Sequence, residues 1–240
     1  MECCKPKFLI LKFERKFNYG YIMPHYFQAN GTFIPLPSSF ADLIVTDPPF
    51  SINFDGRSSA YNRKKDNVVE SYVEISLTDV FPAVSEMVRI LKPTGSLWIV
   101  MGWNNLRYWE GAVDLCGMTQ LGHVIWKYQF GVFAKKRPVS SHYHLLVYTK
   151  SKRTWTWNQQ GYDEDVWVIQ RPYQVGGLKY PNKLPDEVAK EMIIRSSLPG
   201  DILVDPFAGS GTITKVAEKL ECVAFGGDLI NNNEHFWRTE

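Results

Sequence analysis

DILVDPFAGSGT, residues 201–212, decides the fold. An apolar run ends on an acid, Asp205, and Gly209-Ser210-Gly211 then leads into a helical pattern. Glycines there let backbone N–H groups approach a ligand, and a helix N-terminus favours polar or anionic groups. Gly-x-Gly alone is an ordinary strand-to-helix turn. The full string is more specific, because FGGDL ends the next apolar run on a second acid, Asp228. In dinucleotide folds an acid about 20 residues downstream of the first strand takes the ribose hydroxyls. The pair of acids predicts a ligand containing a nucleoside.

Working outward, ADLIVTDPPF (41–50) is a second apolar strand running into a stiff turn. Its two prolines fix φ and remove two N–H donors, leaving outward carbonyl acceptors beside the Asp47 carboxylate and the Phe50 ring. That set suits a planar base with an exocyclic amino group: two acceptors for two N–H bonds, and a ring for stacking. A rigid proline turn with a capping Asp is the alternative. Between the two strings, Val80, Val84, Met87, Val88 and Leu91 recur at helical spacing after Thr78–Asp79 as cap, and the helix is expected to stop at Lys92–Pro93. SLWIVMG (96–102), HVIWKY (123–128) and YHLLVYT (143–149) read as strands. PDEVAKEMIIRSSL (185–198) opens like a helix, with Pro and two acids, and Ile213, Val216, Ala217 and Leu220 form one face of another before the strand CVAFG (222–226). Alternating strands and helices predict an α/β protein with a largely parallel sheet. Residues 51–78 and 151–182 lack clear periodicity and read as loops.

At 240 residues and 27.7 kDa the chain is expected to be one domain, 1–240. Its 45% hydrophobic and 22% charged content exclude disordered and collagen-like classes. No apolar run approaches the roughly 20 residues of a membrane span, and the N-terminus shows no secretory cleavage site. Four cysteines, two of them adjacent, make neither a disulfide framework nor a zinc pair, which predicts a reducing cytoplasm. No metal site is expected; His123, His142 and His144 read as structural. The net charge of +2 by itself argues against a protein that coats nucleic acid.

The two boxes, D-P-P-F before D-P-F-A-G-S-G-T, resemble the beta class of DNA amino-methyltransferases that use S-adenosylmethionine (SAM). The resemblance runs from LPSSFADLIVTDPPF through LKPTGSLWIV and HYHLLVYTKSK to the C-terminal half. It implies a Rossmann-like SAM-dependent methyltransferase fold, with a mostly parallel sheet, helices on both faces and permuted motif order. It also implies that Asp205, Pro206, Phe207, Gly209, Ser210, Gly211 and Thr212 line the SAM pocket, that Asp228 holds the ribose, and that Lys183 belongs to the cofactor site. Asp47, Pro48, Pro49 and Phe50 would be the catalytic turn, with Phe50 stacking on a base flipped out of duplex DNA, since a paired amino group is out of reach. Where many adenine enzymes read H-P-x-x-K-P, this chain has Tyr180-Pro181-Asn182-Lys183-Leu184-Pro185, closer to an N4-cytosine variant; Asp47 favours adenine. Gln28 stands where the family often has an acid near the cofactor adenine, and the chain stops 12 residues after Asp228, curtailing the usual last elements. N6-adenine is the favoured target and N4-cytosine the alternative. A catalytically idle DNA-binding subunit, or an RNA or protein acceptor, are further readings. A homodimer and a companion restriction endonuclease are admitted as partners.

The charge total hides an asymmetry. From Lys127 to Arg153 there are seven basic residues (with Lys135, Lys136, Arg137, Lys150 and Lys152) and no acid, interleaved with aromatics. Lys135, Lys136 and Arg137 read as phosphate contacts, whereas Tyr143 and Tyr148 read as core. Residues 51–78, with Arg57, Arg63, Lys64 and Lys65, are expected as an active-site loop over the flipped base, or else a surface loop. Residues 130–182 are expected as an insertion that contacts DNA and recognises the target, with 151–182 its recognition part.

Overall fold

In a computed structural model, residues 25–49, 75–129, 136, 138–171 and 183–229 are described. Leu43 and Ile44 pair with a strand on each side and Leu43 to Thr46 are fully buried, which is why Leu43-Ile44-Val45 is apolar without alternation. The strands are β1 (His25–Gln28), β2 (Ala41–Thr46), β3 (Leu91–Met101), β4 (Thr119–Lys127), β5 (His142–Thr149), β6 (Val166–Val168), β7 (Ile202–Asp205) and β8 (Val223–Asp228). The helices are α1 (Leu77–Ile90), α2 (Leu106–Leu115), α3 (Asp186–Ser196) and α4 (Thr212–Lys219). They build one eight-stranded sheet in the order β1-β8-β7-β2-β3-β5-β4-β6. Pairing is parallel except for β5, which runs antiparallel to both β3 and β4. The mostly parallel sheet expected from the alternation of elements is therefore the one found.

Alternation along the central strands splits the core in two. Leu43, Val45, Trp98, Val100, Leu145 and Val147 face α3 and α4. Ile44, Leu97, Ile99, Met101, Leu146 and Tyr148 face α1 and α2. Helices thus cover both faces, and the buried Trp98 indole N–H ties β3 to α3 by donating to Ser196 Oγ at 2.8 Å.

Several expectations need correction. The cap of α1 is Ser76, whose hydroxyl accepts from Thr78 N–H, so Leu77 and Thr78 belong to the helix and not to a 51–78 loop. The helix ends at Ile90; Leu91 already pairs with Ala41, and residues 92–95 bulge before the ladder resumes at Ser96. Lys92 at this bulge is held by both carboxylate oxygens of Asp42. Residues 130–182 are not a single insertion, because β5 sits between β3 and β4 with its apolar residues buried, and β6 extends the sheet beyond β4. Tyr148 is buried and Tyr143 is stacked on Trp126. Three elements had no reading in the sequence. β1 is four residues long; β6 is three, set in a polar stretch. α2 has Gly111 at its middle, no side-chain cap and only Trp109, Ala112 and Val113 buried.

Candidate active site

The chain leaves β2 toward β3 on one side and leaves β7 toward β8 on the other, so a crevice opens at the carboxyl ends of β7 and β2, where α/β sheets bind ligands. Three neighbouring strand ends bring carboxylates there: Asp228 from β8, Asp205 from β7, and Asp47 just after β2.

Asp205 is almost fully buried. Its Oδ1 accepts from Thr46 Oγ1 at 2.9 Å and from Phe207 N–H at 3.1 Å. Burial pushes its carboxyl up to about 8 against those two hydrogen bonds, and the charges of Asp47 and Asp228 push the same way. Asp47 is half-buried; loss of water pushes its carboxyl up to about 7, while the positive charge of Arg171 pulls it down. Pro48 is buried and Pro49 half-buried, whereas Phe50 lies outside the described residues.

The glycine turn is closed by the second acid. Gly209 N–H donates to Asp228 Oδ2 at 2.9 Å, and Ala208 N–H donates to the Gly227 carbonyl at 2.8 Å. Gly209 (φ 48°) and Gly211 (φ 72°) both take the left-handed conformation, which lets the backbone reverse at once into α4. Nothing crowds the space above Gly209: a Cβ there would meet only the Phe207 carbonyl, at 3.8 Å. Ser210 and Thr212 hydroxyls lie 3.0 Å apart at this entry. The turn therefore places an acid, an uncrowded glycine backbone and the start of a helix side by side.

Two further features border the site. Tyr26 and Phe27 of β1 lie over Gly226 and Gly227, where a Cβ would meet ring carbons at 2.5 Å; the Tyr26 hydroxyl donates to Thr214, which donates to the Gly211 carbonyl. Gln28 pairs in register with Asp228, and its Nε2 donates to the Leu229 carbonyl. The Phe207 ring is packed against Gly31 and edge-on to Trp109. Gln28 was singled out in the sequence, whereas Thr46, Trp109 and Arg171 were not; of these, only Thr46, a polar residue closing an apolar run, carries a visible signal.

The Lys183 ammonium pairs with Asp186 at the start of α3, at 2.9 Å. Lys136 is exposed, while Lys135, Arg137, Arg57, Arg63, Lys64 and Lys65 lie outside the described residues. His123 Nε2 and His144 Nδ1 are 2.8 Å apart, His142 is edge-on to His144, and burial pulls His144 down to about 4. Among the described residues no group of three metal-ligating side chains occurs, and no helix is long and apolar enough to cross a membrane.

A family model for DNA methylases matches residues 41–235. The chain is 28% identical over 215 residues to the type II methyltransferase M.HpaI of Haemophilus parainfluenzae, covering 81% of this chain and 66% of that one. It is 29% identical over 219 residues to the DNA adenine methyltransferase YhdJ of Escherichia coli K12, covering 76% of this chain and 69% of that one. The chain thus spans about two thirds of the length of these relatives. In three dimensions it is similar to the M1.HpyAVI–SAM complex, with a TM-score of 0.65 at 19% identity over 89% of this chain and 98% of the other.

Proposed function

Because this chain belongs to the DNA methylase family, we propose that it transfers a methyl group from SAM to the exocyclic amino group of a base flipped out of duplex DNA, with adenine N6 the favoured target. One observation carries this reading: the Asp47-Pro48-Pro49 turn and the Asp205/Asp228 glycine turn occupy adjoining strand ends of one crevice. Asp228, the Gly209–Thr212 turn and Phe207 are the residues that would hold SAM. Bound there, SAM supplies a methyl group on a positively charged sulfur, a bond that breaks as the new N–C bond forms.

The amino nitrogen of adenine is a poor nucleophile because its lone pair is delocalised into the ring. The Asp47 carboxylate and the Pro48 carbonyl accept its two N–H groups and draw the nitrogen toward tetrahedral geometry. They also stabilise the positive charge that develops on it, more strongly in the transition state than in the ground state, and the methylated nitrogen then gives up one proton to solvent. Pro49, having no N–H, leaves the turn unable to pair with itself at that point and keeps the acceptor exposed to the base. Placing base and donor in one crevice supplies much of the remaining acceleration.

N4-cytosine is the second reading, favoured by Tyr180-Pro181 in place of the His-Pro of many adenine enzymes. Lys136 with its basic neighbours in sequence supports a contact with DNA phosphates. The same reading puts the chain in the cytoplasm and admits a homodimer or a restriction endonuclease as partner. Incubation with labelled SAM and unmethylated duplex DNA, followed by mass spectrometry of the nucleosides, is expected to yield N6-methyladenine. N4-methylcytosine would install the second reading, and no methylated base on any DNA would sink both. Asp47→Ala is expected to slow transfer by about 10²–10³-fold, with SAM affinity by calorimetry retained.

A further inference from the structure

β2 and β3 are neighbours and run parallel, with Thr46 opposite Ile99, so their carboxyl ends leave the sheet side by side. Past β2 come Asp47, Pro48 and Pro49; past the end of β3 at Met101 come Gly102 and Trp103. The two loops rise from strands about 5 Å apart, which puts Trp103 at the rim of the crevice. Its side chain is 59% exposed, more than any other tryptophan among the described residues. A ring of that size left in water on a loop beside a site is placed for contact with a partner.

The helix that follows is suited to an anion. Asn105 stands at the cap position of α2, yet its side chain makes no bond to the first-turn N–H groups, and its Nδ2 is buried without a partner. The first turn carries no acid, although the helix dipole favours one there; the first is Glu110, a turn later. It carries Arg107 instead, which is exposed and among the described residues pairs with no carboxylate. The Arg107 guanidinium lies 4.7 Å over the Tyr108 ring and donates to the Tyr108 hydroxyl at 2.8 Å. Those contacts hold the cation in place without neutralising it. Beyond β3 on the same edge, the exposed Lys127 ends β4 opposite His142 at the start of β5, so the basic character of the rim continues.

We infer that the β3–α2 junction grips the target strand where a base leaves the duplex: Trp103 stacks in the gap that the base vacates, and Arg107 takes an adjoining phosphate. The inference deepens the methyltransferase reading and rests on it. The target amino group has to reach Asp47 and Pro48, which are half-buried and buried, so a ring exposed at the rim meets the vacated stack and not the flipped base. Flipping forfeits the stacking of one base on its neighbours, and an aromatic ring inserted there restores part of it. The phosphate contact fixes the strand in register while the base turns about its backbone.

Sequencing of plasmid treated with the chain and SAM gives the methylated site, and two fluorescein-labelled duplexes then carry it. One has 2-aminopurine, which brightens when unstacked, in place of the target base; the other is abasic at that position. Trp103→Ala alters an exposed side chain, and Tm and SAM affinity are expected to stay unchanged. It is expected to bind the abasic duplex about 10–100-fold more weakly than wild type by fluorescence anisotropy, and to lose most of the 2-aminopurine signal. Trp103→Phe, which keeps a ring, is expected to recover most of both. Arg107→Gln is expected to weaken both duplexes alike and to lower the salt slope of binding by about one. Undiminished binding of the abasic duplex by Trp103→Ala overturns the gap assignment, even if the 2-aminopurine duplex binds more weakly, because the ring would then stack on the flipped base itself. An unmoved salt slope in Arg107→Gln overturns the phosphate contact. A wild type that methylates no DNA defeats the methyltransferase reading and this inference with it. A wild type that methylates and flips, matched on both duplexes by Trp103→Ala, defeats this inference alone.

Discussion

Replacing Asp205 by Asn is expected to stabilise the SAM-free protein, increasingly so as the pH rises. The carboxamide Oδ1 keeps the acceptor that serves Thr46 Oγ1 and Phe207 N–H, so the local hydrogen bonds survive. What the change removes is a charge buried between those of Asp47 and Asp228. The folded carboxyl stands near 8 against an ordinary value of 3.8. A group raised on folding binds its proton more tightly in the folded state. Its contribution is present in full below the unfolded value and is lost as the pH climbs through the folded one. Between pH 5 and 7, inside that window, wild type should lose about 1.4 kcal/mol per pH unit relative to the variant, or about 3 kcal/mol in all. For a chain of this size, that widens the Tm gap by roughly 6–12 °C. Scanning calorimetry of both proteins without SAM at pH 5, 6, 7 and 8.5 measures it. A gap that stays constant across this range, or a variant melting lower throughout, would refute the argument that the site stores unfavourable charge until its ligand binds.

Two other substitutions probe the frame of the site. Gly226→Ala places a Cβ 2.5 Å from the Tyr26 ring and 3.1 Å from Ala208, so it should cost about 1–3 kcal/mol and raise amide exchange in β1 far more than in β3. Trp98→Phe removes the indole N–H from Ser196 and opens space beside Trp157 and Trp167; a loss of about 2–3 kcal/mol is expected in urea unfolding. A double-mutant cycle with Ser196→Ala should return a coupling near 1 kcal/mol.

The central strands were legible because burial on both faces removes the need for polar residues. LIVT, SLWIVM, LLVY and ILVD stand out from their surroundings without any partner being known. α1 and α4 were legible because each keeps a regular apolar face, and α3 because Pro185, Asp186 and Glu187 mark a helix start. β1 and β6 were not, since a short strand at the end of a sheet draws its stability from the neighbour it pairs with, and HYFQ and VWV carry too few residues to show a period. The cap of α1 was misplaced by two residues because Ser76, Thr78 and Asp79 are all good caps, and only the hydrogen bond from Thr78 N–H to Ser76 separates them.

The sequence by itself determined the chemistry on offer: two acids after apolar strands, two prolines between acceptors, glycines where backbone must reverse. Those are local demands, met within a few residues of chain. The tertiary structure alone decided which groups act on one another. It set Asp47, Asp205 and Asp228 at adjoining strand ends, so that burial and mutual repulsion push the Asp205 carboxyl up to about 8. It also carried Arg171, 124 positions from Asp47 in the chain, along β6 to the same edge. Charge acts through space and through whatever excludes water from that space, and neither is written in the order of residues.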